Sequence, residues 1–415
     1  MKPRLARKAR LRRDRRDGAV VLLGPERGLR LSPTAAATLE LCDGTRTVDQ
    51  IVDALMQRYA GAPRPRVEAD VRALLAALRS RVLLDGFEGS APATTDPSRG
   101  EGAAADGTDP YTLVAELTHR CALACPYCSN PMSLVGGNQE LATADWIRVL
   151  DEAVALGVMQ LHLTGGEPLA RSDLEPIAAH ARARGLYVNL VTSGMPLDRE
   201  RLERLAPSID HVQLSVQDAD GASSDSIAGL ASFDAKMRVA RWVKELGLPL
   251  TLNCVLHRAN LDHVEAIVGM AEDLAADRLE LANVQLVSWA NANVEALLPT
   301  RAQIERAREI AFAARRRLDG KMEVVFVLPD WHAGRPRACM DGWGRRFMVV
   351  APDGAVLPCH AARSLPLAFD SVRTRSLRAA WNDSQGMRAY RGEAWLPEPC
   401  RSCDKKSVDY GGCRC

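Results

Sequence analysis

Several things are scarce in this 415-residue chain. It has no run of about 18 apolar residues, so no transmembrane helix is expected. It has no excess charge of one sign. Lys and Arg number 54 and Asp and Glu 52, so the global balance makes no case for nucleic acid. A basic N-terminal cluster (Lys2, Arg4, Arg7, Lys8, Arg10, Arg12, Arg13, Arg15, Arg16) is followed by no apolar stretch of the signal-peptide kind. Reduced cytoplasm is therefore the expected compartment. The cluster suits either a solvated strand edge or attraction for an acidic peptide. Aromatics make up only 5%. The N-terminal segment lacks both the aromatic interleaving and the Arg/Asn-rich helix of a base-reading surface.

Cysteine is plentiful, with 11 residues. Cys42 and Cys254 stand singly in apolar runs, as small core hydrophobes do. The other nine fall into groups with ligand spacing. Cys121-Ala-Leu-Ala-Cys125-Pro-Tyr-Cys128 follows the apolar run Tyr111 to Leu117. Three thiolates on one short loop can hold three corners of a four-iron cube, leaving one iron open to a small molecule. Zinc or three core thiols are the alternatives. Structural zinc sites, however, close four positions with paired knuckles. No fourth Cys or His lies near at that spacing, and His119 is too close and on the wrong side.

The length implies two or three domains. Residues 1–87 form the first. Ala19–Gly24 and Gly28–Leu31 read as strands around the turn Pro25-Glu26-Arg27-Gly28. Ser32 and Thr47 read as N-caps of two helices, and a third follows Pro65 with Val67, Val71, Leu74, Leu75 and Leu78 on one face. The outline is winged-helix-like. Glu88–Asp109, rich in Gly, Ala, Ser, Thr, Asp and Pro, is a linker. Its 22 residues would span about 25 Å as a flexible coil. In 110–320, strand-like runs (Thr112–Leu117, Gln160–Thr164, Tyr187–Thr192, His211–Val216, Leu250–Val255, Arg278–Gln285) alternate with helical patterns. Six βα units imply an incomplete (β/α)6 barrel of TIM type. Chemistry in such barrels gathers at the C-terminal strand ends, and the triple-Cys loop follows the first strand.

Thr164-Gly165-Gly166-Glu167-Pro168 follows the second strand. Paired glycines let backbone approach a ligand closely, and Glu167 adds a carboxylate. Ser193 ends the third strand, and Ser215 and Gln217 the fourth. By position they suit contacts to a ribose or a carboxylate, or equally a satisfied polar turn. In 321–415 the periodicity is irregular. Cys339, Cys359, Cys400-x-x-Cys403, Cys413 and Cys415 accumulate there, with five residues between Cys403 and Asp409. Metal clusters can staple so loop-rich a segment.

The triple-Cys loop together with Gly165-Gly166-Glu167-Pro168 resembles the radical S-adenosylmethionine (radical SAM) family. The resemblance implies that Cys121, Cys125 and Cys128 hold a [4Fe-4S] cluster and that Gly165 to Pro168 receive the methionyl amino group of SAM. The C-terminal spacing resembles the SPASM domain of auxiliary iron–sulfur clusters ([2Fe-2S] or [4Fe-4S]), with Asp409 where a Cys is usual. Arg10-Leu11, Val21-Leu22-Leu23-x-Pro25-Glu26, Ser32-Pro-Thr34-Ala35 and Cys42-Asp43-Gly44-x-Arg46-Thr47 resemble the PqqD family of peptide-binding modules. That likeness implies a leader peptide added as an extra strand.

Further segments resemble the PqqA peptide cyclases, which act in pyrroloquinoline quinone (PQQ) biosynthesis. They are Cys125-Pro-Tyr-Cys-Ser-Asn-Pro131, Leu214-Ser-Val-Gln-Asp-Ala219, Gly342-Trp-Gly-Arg-Arg-Phe347 and Glu398-Pro-Cys-Arg-Ser-Cys-Asp404. The likeness implies a Glu–Tyr carbon–carbon crosslink in a PqqA-like precursor peptide and a partner such as flavodoxin as electron donor. It also implies one auxiliary cluster on Cys339, Cys359, Cys413 and Cys415 and another on Cys400, Cys403 and Asp409. The family pattern continues to one more Cys than this chain holds. A truncated chain, or a second auxiliary cluster that is absent or completed by another ligand, is therefore expected. The other outcomes compatible with these motifs are a different peptide crosslink, such as a thioether, or a noncatalytic peptide-binding zinc scaffold.

Overall fold

The structure is a computed structural model. It describes all residues except 7–8, 15–17, 25–26, 89–109, 134–138, 329–331, 333, 335 and 339–341. Arg7, Lys8, Arg15 and Arg16 of the basic cluster, the Pro25-Glu26 turn, the body of the linker and Cys339 lie outside the described residues.

One compact unit comprises the N-terminal segment with residues 313–324. Its three-stranded antiparallel sheet runs β2 (Arg10–Arg13), β3 (Val20–Gly24), β4 (Arg27–Arg30), and β1 (Arg4–Leu5) pairs with β5 (Leu84–Asp85). All of β3 is buried, because β2 and β4 flank it. The caps are those expected from sequence. Ser32 Oγ accepts from Ala35 N to start α1 (Pro33–Glu40), and Thr47 and Gln50 form a capping box on α2 (Val48–Arg58). On α3 (Arg64–Arg79), Val71, Leu75 and Leu78 are buried against Leu22, Ile51 and Leu55. Arg10-Leu-Arg-Arg13 is a strand that its charge conceals, since β-propensity reports half-buried packing rather than composition.

The second unit contains the barrel and the C-terminal segment. Six parallel strands lie in sequence order: β6 (Thr112–Glu116), β7 (Gln160–Thr164), β8 (Tyr187–Thr192), β9 (His211–Val216), β10 (Leu250–Leu256) and β11 (Arg278–Asn283). The helices between them include α4 (Thr143–Leu156), α5 (Leu174–Ala183), α6 (Arg199–Leu205), α7 (Gly221–Ala228), α8 (Phe233–Glu245) and α9 (Val264–Asp273). Sequence periodicity does not reveal α7. Gly-Ala-Ser-Ser-Asp-Ser-Ile-Ala has weak helix propensity, and the helix is instead capped by Asp220, which accepts from Ser223 N at 2.8 Å.

After β11 come α10 (Trp289–Ala292), α11 (Val294–Leu297), α12 (Arg301–Arg317) and β12 (Glu323–Val327), which joins the sheet beside β11. At the opposite edge β13 (Phe347–Val350) pairs in parallel with β6, and β14 (Val356–Leu357) pairs antiparallel with β13. The C-terminal segment thus extends the barrel sheet, a pairing invisible in its short apolar runs. No helix among the described residues is long and apolar enough to cross a membrane.

Candidate active site

The loop after β7 is stitched to the loop after β6. Gly166 N donates to Thr118 O at 2.6 Å, and Glu167 N to Arg120 O at 2.8 Å. Gly165 has φ +141°, and a Cβ there would stand 2.3 Å from Thr118 O. A Cβ at Gly166 would stand 2.5 Å from the carbonyl oxygens of both His119 and Arg120. The sequence suggests that these glycines admit a ligand. In the structure they admit the protein's own backbone, and the close approach holds the root of the triple-Cys loop.

Glu167 does not lie in water; it is 1% exposed. Its Oε1 accepts from Leu169 N (3.0 Å) and Thr192 Oγ1 (2.6 Å), and its Oε2 from Ser193 N (2.7 Å) and Ser193 Oγ (2.5 Å). Burial raises its pKa, and these donors oppose the rise. Ser193 is thus occupied by Glu167. Pro168 is buried at the start of a 3₁₀ turn, Pro168–Ala170. Two arginines unremarked in the sequence brace this segment. Arg171, 6% exposed, donates to Leu117 O and Leu141 O at 3.1 Å and forks onto Asp173 at 2.8 and 2.6 Å. Arg201 donates to Leu169 O at 2.6 Å and Arg171 O at 2.7 Å.

The thiols of Cys121 (exposed), Cys125 and Cys128 (half-buried) are free of disulfides. Burial raises the pKa of each, that of Cys125 to about 11. Tyr127, between them, hydrogen-bonds to Gln217 and Cys125. Gln217 is 1% exposed, and its Oε1 accepts from Lys236 Nζ.

Lys236, on α8, is fully buried. Burial lowers its pKa, while Cys125, Asp225, Glu167 and Cys121 pull it up. It is the main residue missed from sequence. The signal was available: Phe233, Lys236, Met237, Ala240 and Val243 share one helical stripe, so the lysine belongs to the buried face. Ser215 is half-buried on β9, in register with Asn253 of β10.

His257 follows β10 and is 2% exposed, its ring 5.4 Å from that of Tyr127. Nδ1 accepts from Ala259 N, and Nε2 has no partner among the described residues. Burial lowers its pKa to about 4. Fully buried Asn260 anchors the turn, donating to Gln217 O (2.7 Å) and Val255 O (2.9 Å).

In the C-terminal field Cys359 Sγ and Cys415 Sγ are 3.7 Å apart, and Cys413 Sγ reaches Cys415 O at 3.8 Å. Cys400 and Cys403 are half-buried on one turn. Asp409 Oδ1 accepts from Gly411 N at 2.9 Å. Tyr410, Gly411 and Gly412 all have positive φ, which reverses the chain so that Cys413 returns. Among the described residues, no three His, Cys, Asp or Glu side chains are arranged to hold a single metal ion.

Residues 115–271 match the family model of the radical SAM superfamily, 19–84 that of coenzyme PQQ synthesis protein D, and 339–404 that of the SPASM iron–sulfur cluster-binding domain. The chain is 50% identical over 309 residues to the PqqA peptide cyclase of Granulibacter bethesdensis, and 49% identical over 309 residues to that of Ruegeria pomeroyi. Each match covers 74% of this chain and 83% of the relative. Streptococcus suis SuiB bound to S-adenosylmethionine shares the fold, with a TM-score of 0.64 at 17% identity covering 99% of this chain and 95% of that one. So does anSMEcpe with AdoMet and a peptide, with a TM-score of 0.56 at 19% identity covering 74% and 89%. The cofactors are a [4Fe-4S] cluster and SAM, with auxiliary iron–sulfur clusters in the SPASM domain. The chain is a radical SAM enzyme and belongs to the PqqA peptide cyclase family.

Proposed function

We propose that this enzyme joins a Glu side-chain carbon to a Tyr ring carbon in a PqqA-like precursor peptide, with loss of two hydrogens, as an early step of PQQ biosynthesis. The observation that carries the reading is the company kept by the triple-Cys loop. A fully buried ammonium (Lys236) and a 1%-exposed carboxylate (Glu167) share its electrostatic neighbourhood. A zwitterionic amino acid such as the methionyl end of SAM offers one opposite charge to each. Glu167 receives its amino group; Lys236, held by Gln217, faces its carboxylate. Lys236 Nζ bonds Gln217 Oε1, and Asp225 and Glu167 stand near enough to raise its pKa; a ligand carboxylate would offset more of the cost of burying the ammonium.

Cys121, Cys125 and Cys128 fit the cluster. They are free thiols on one short loop in a CxxxCxxC spacing, the donor set that such a cluster takes. When bound, the cluster and SAM supply an electron and a carbon radical able to take a hydrogen atom from the peptide. The chain's own residues bind, orient and exclude water. Arg171 and Arg201 hold the backbone of the Glu167 segment, and Asn260 locks the ends of β9 and β10. Cys359, Cys413 and Cys415, with Cys339, hold one auxiliary cluster; Cys400, Cys403 and Asp409 hold the other. The PqqD-like region, whose three-stranded sheet has β2 and β4 as its outer strands, binds the precursor peptide. A flavodoxin-like donor supplies electrons in the cytoplasm.

The test is anaerobic incubation of reconstituted enzyme with SAM, reductant and a peptide containing Glu-x-x-x-Tyr. A product about two hydrogens lighter, bridged between Glu and Tyr, is expected, because the radical chemistry depends on the cluster. A thioether product, or a colourless zinc protein with no sulfide, would sink the reading.

A further inference from the structure

Five large hydrophobic side chains are exposed among the described residues: Met1, Met132, Leu230, Trp289 and Val408. Scattered singly, such residues need no explanation. Three of these five, however, stand on segments that touch the triple-Cys loop. Leu230 follows Gly229, which lies so close to Ala124, between Cys121 and Cys125, that a Cβ there would sit 3.0 Å from the Ala124 Cβ. Ala124 N also donates to Ala228 O at 2.8 Å. Met132 lies just beyond Cys128, after Asn130, whose carbonyl accepts from Ser288 Oγ. Trp289 is the next residue.

The turn carrying Trp289 is built with effort. Ser288 has φ +52° and ψ −122°, a region costly for a side-chain-bearing residue. Asn293 Nδ2 donates to both Trp289 O (2.9 Å) and Pro126 O (3.1 Å), tying the turn to the Cys-Pro-Tyr-Cys segment. Beneath it Ala290 is buried in a cluster against which Tyr127 packs. The indole itself stays 37% exposed.

We propose that Trp289, together with Leu230 and Met132 on the other segments at the triple-Cys loop, forms the docking rim for the aromatic segment of the precursor peptide. This rests on the crosslinking reading above. The occupant follows from position and chemistry. A residue that surrenders a hydrogen atom must come into contact with the reaction centre, so the peptide must pass the triple-Cys loop, to which the segments carrying these three side chains are tied or adjoined. An indole and a thioether are suited to holding a phenol ring, by offset stacking and sulfur–aromatic contact. Trp289 thereby sets where the acceptor tyrosine lies relative to the radical.

The test uses the full reconstituted chain with the Glu-x-x-x-Tyr peptide. Trp289→Ala is expected to raise the peptide KM about tenfold and to raise the number of SAM molecules cleaved per crosslink. Trp289→Phe should restore most of the coupling, and Leu230→Ser should show a smaller rise. SAM affinity, which a collapsed loop would lower, should stay within about twofold. Unchanged KM and coupling in both Trp289→Ala and Leu230→Ser overturn the rim. So does a defect seen with flavodoxin but absent with dithionite, which would make this face the donor's docking surface. A wild-type chain that cleaves SAM yet crosslinks nothing sinks the crosslinking reading, and the rim with it.

Discussion

The molecule carries two groups of cysteines, and they are supported differently. The Cys121–Cys128 loop sits on a scaffold complete in protein terms. Backbone bonds to the Gly165–Glu167 segment, two braced arginines and a buried lysine surround it. The Cys400–Cys415 field has little of this. Cys413 and Cys415 are exposed, and its one helix, α13 (Lys406–Asp409), has four residues. Its shape rests on three successive positive-φ residues and on two stacked arginines, Arg345 over Tyr410 and Arg414 over Trp395, each 4.7 Å from the ring. The first site carries its own buried polar scaffold; the second has few buried supports of its own, so its clusters are expected to contribute more to its stability.

That contrast can be broken by experiment. Cys125→Ala should abolish SAM cleavage and crosslinking outright while the circular dichroism of the barrel is kept, because that thiol's hydrogen bond to Tyr127 is a single contact beside the backbone bonds that hold the loop. Chelating the iron should open the 396–415 region to limited proteolysis long before the barrel is cut; simultaneous cleavage of both would refute the contrast. Glu167→Gln should weaken SAM binding about ten- to hundredfold, the value of a charge-assisted hydrogen bond. Lys236→Met should weaken it about tenfold yet leave thermal stability equal or higher, since replacing a buried charge with an apolar isostere is often stabilising. A lower melting temperature would show that Lys236 serves the fold instead.

The smallest effect concerns pH. His257 is held neutral by burial until about pH 4, whereas in the unfolded chain it takes a proton near pH 6.5. Its folded pKa is depressed, so it withdraws stability as pH falls through that window, by at most about 1.4 kcal/mol per pH unit. His257→Phe should flatten that part of a stability–pH curve.

Much was legible before any coordinates. The six barrel strands fall almost where the strand-like apolar runs between helical patterns place them, because each barrel strand buries apolar side chains against its neighbours and the surrounding helices. The caps Ser32 and Thr47 hold, since a side-chain oxygen at that offset satisfies an orphan helix N–H. What stayed hidden lacks a clear local signal. β2 is concealed by its arginines, α7 by its serines and β13 by its brevity; β2 is held by its neighbour β3, α7 by the Asp220 cap, and β13 by β6, which is distant in sequence.

Amino-acid identity and spacing alone determined the chemistry on offer: three thiolates on one loop, a carboxylate after paired glycines, a Cys-rich C-terminal segment. These are covalent properties of neighbouring residues and need no fold to be read. Tertiary structure decided which groups meet. It removed Glu167 from water, turned Lys236 inward against Gln217 and the cysteines, spent the two glycines on backbone contact, and tied the segments carrying Leu230 and Trp289 to the triple-Cys region. Such meetings depend on the sheet order and on the desolvation it imposes, and neither is encoded in local spacing.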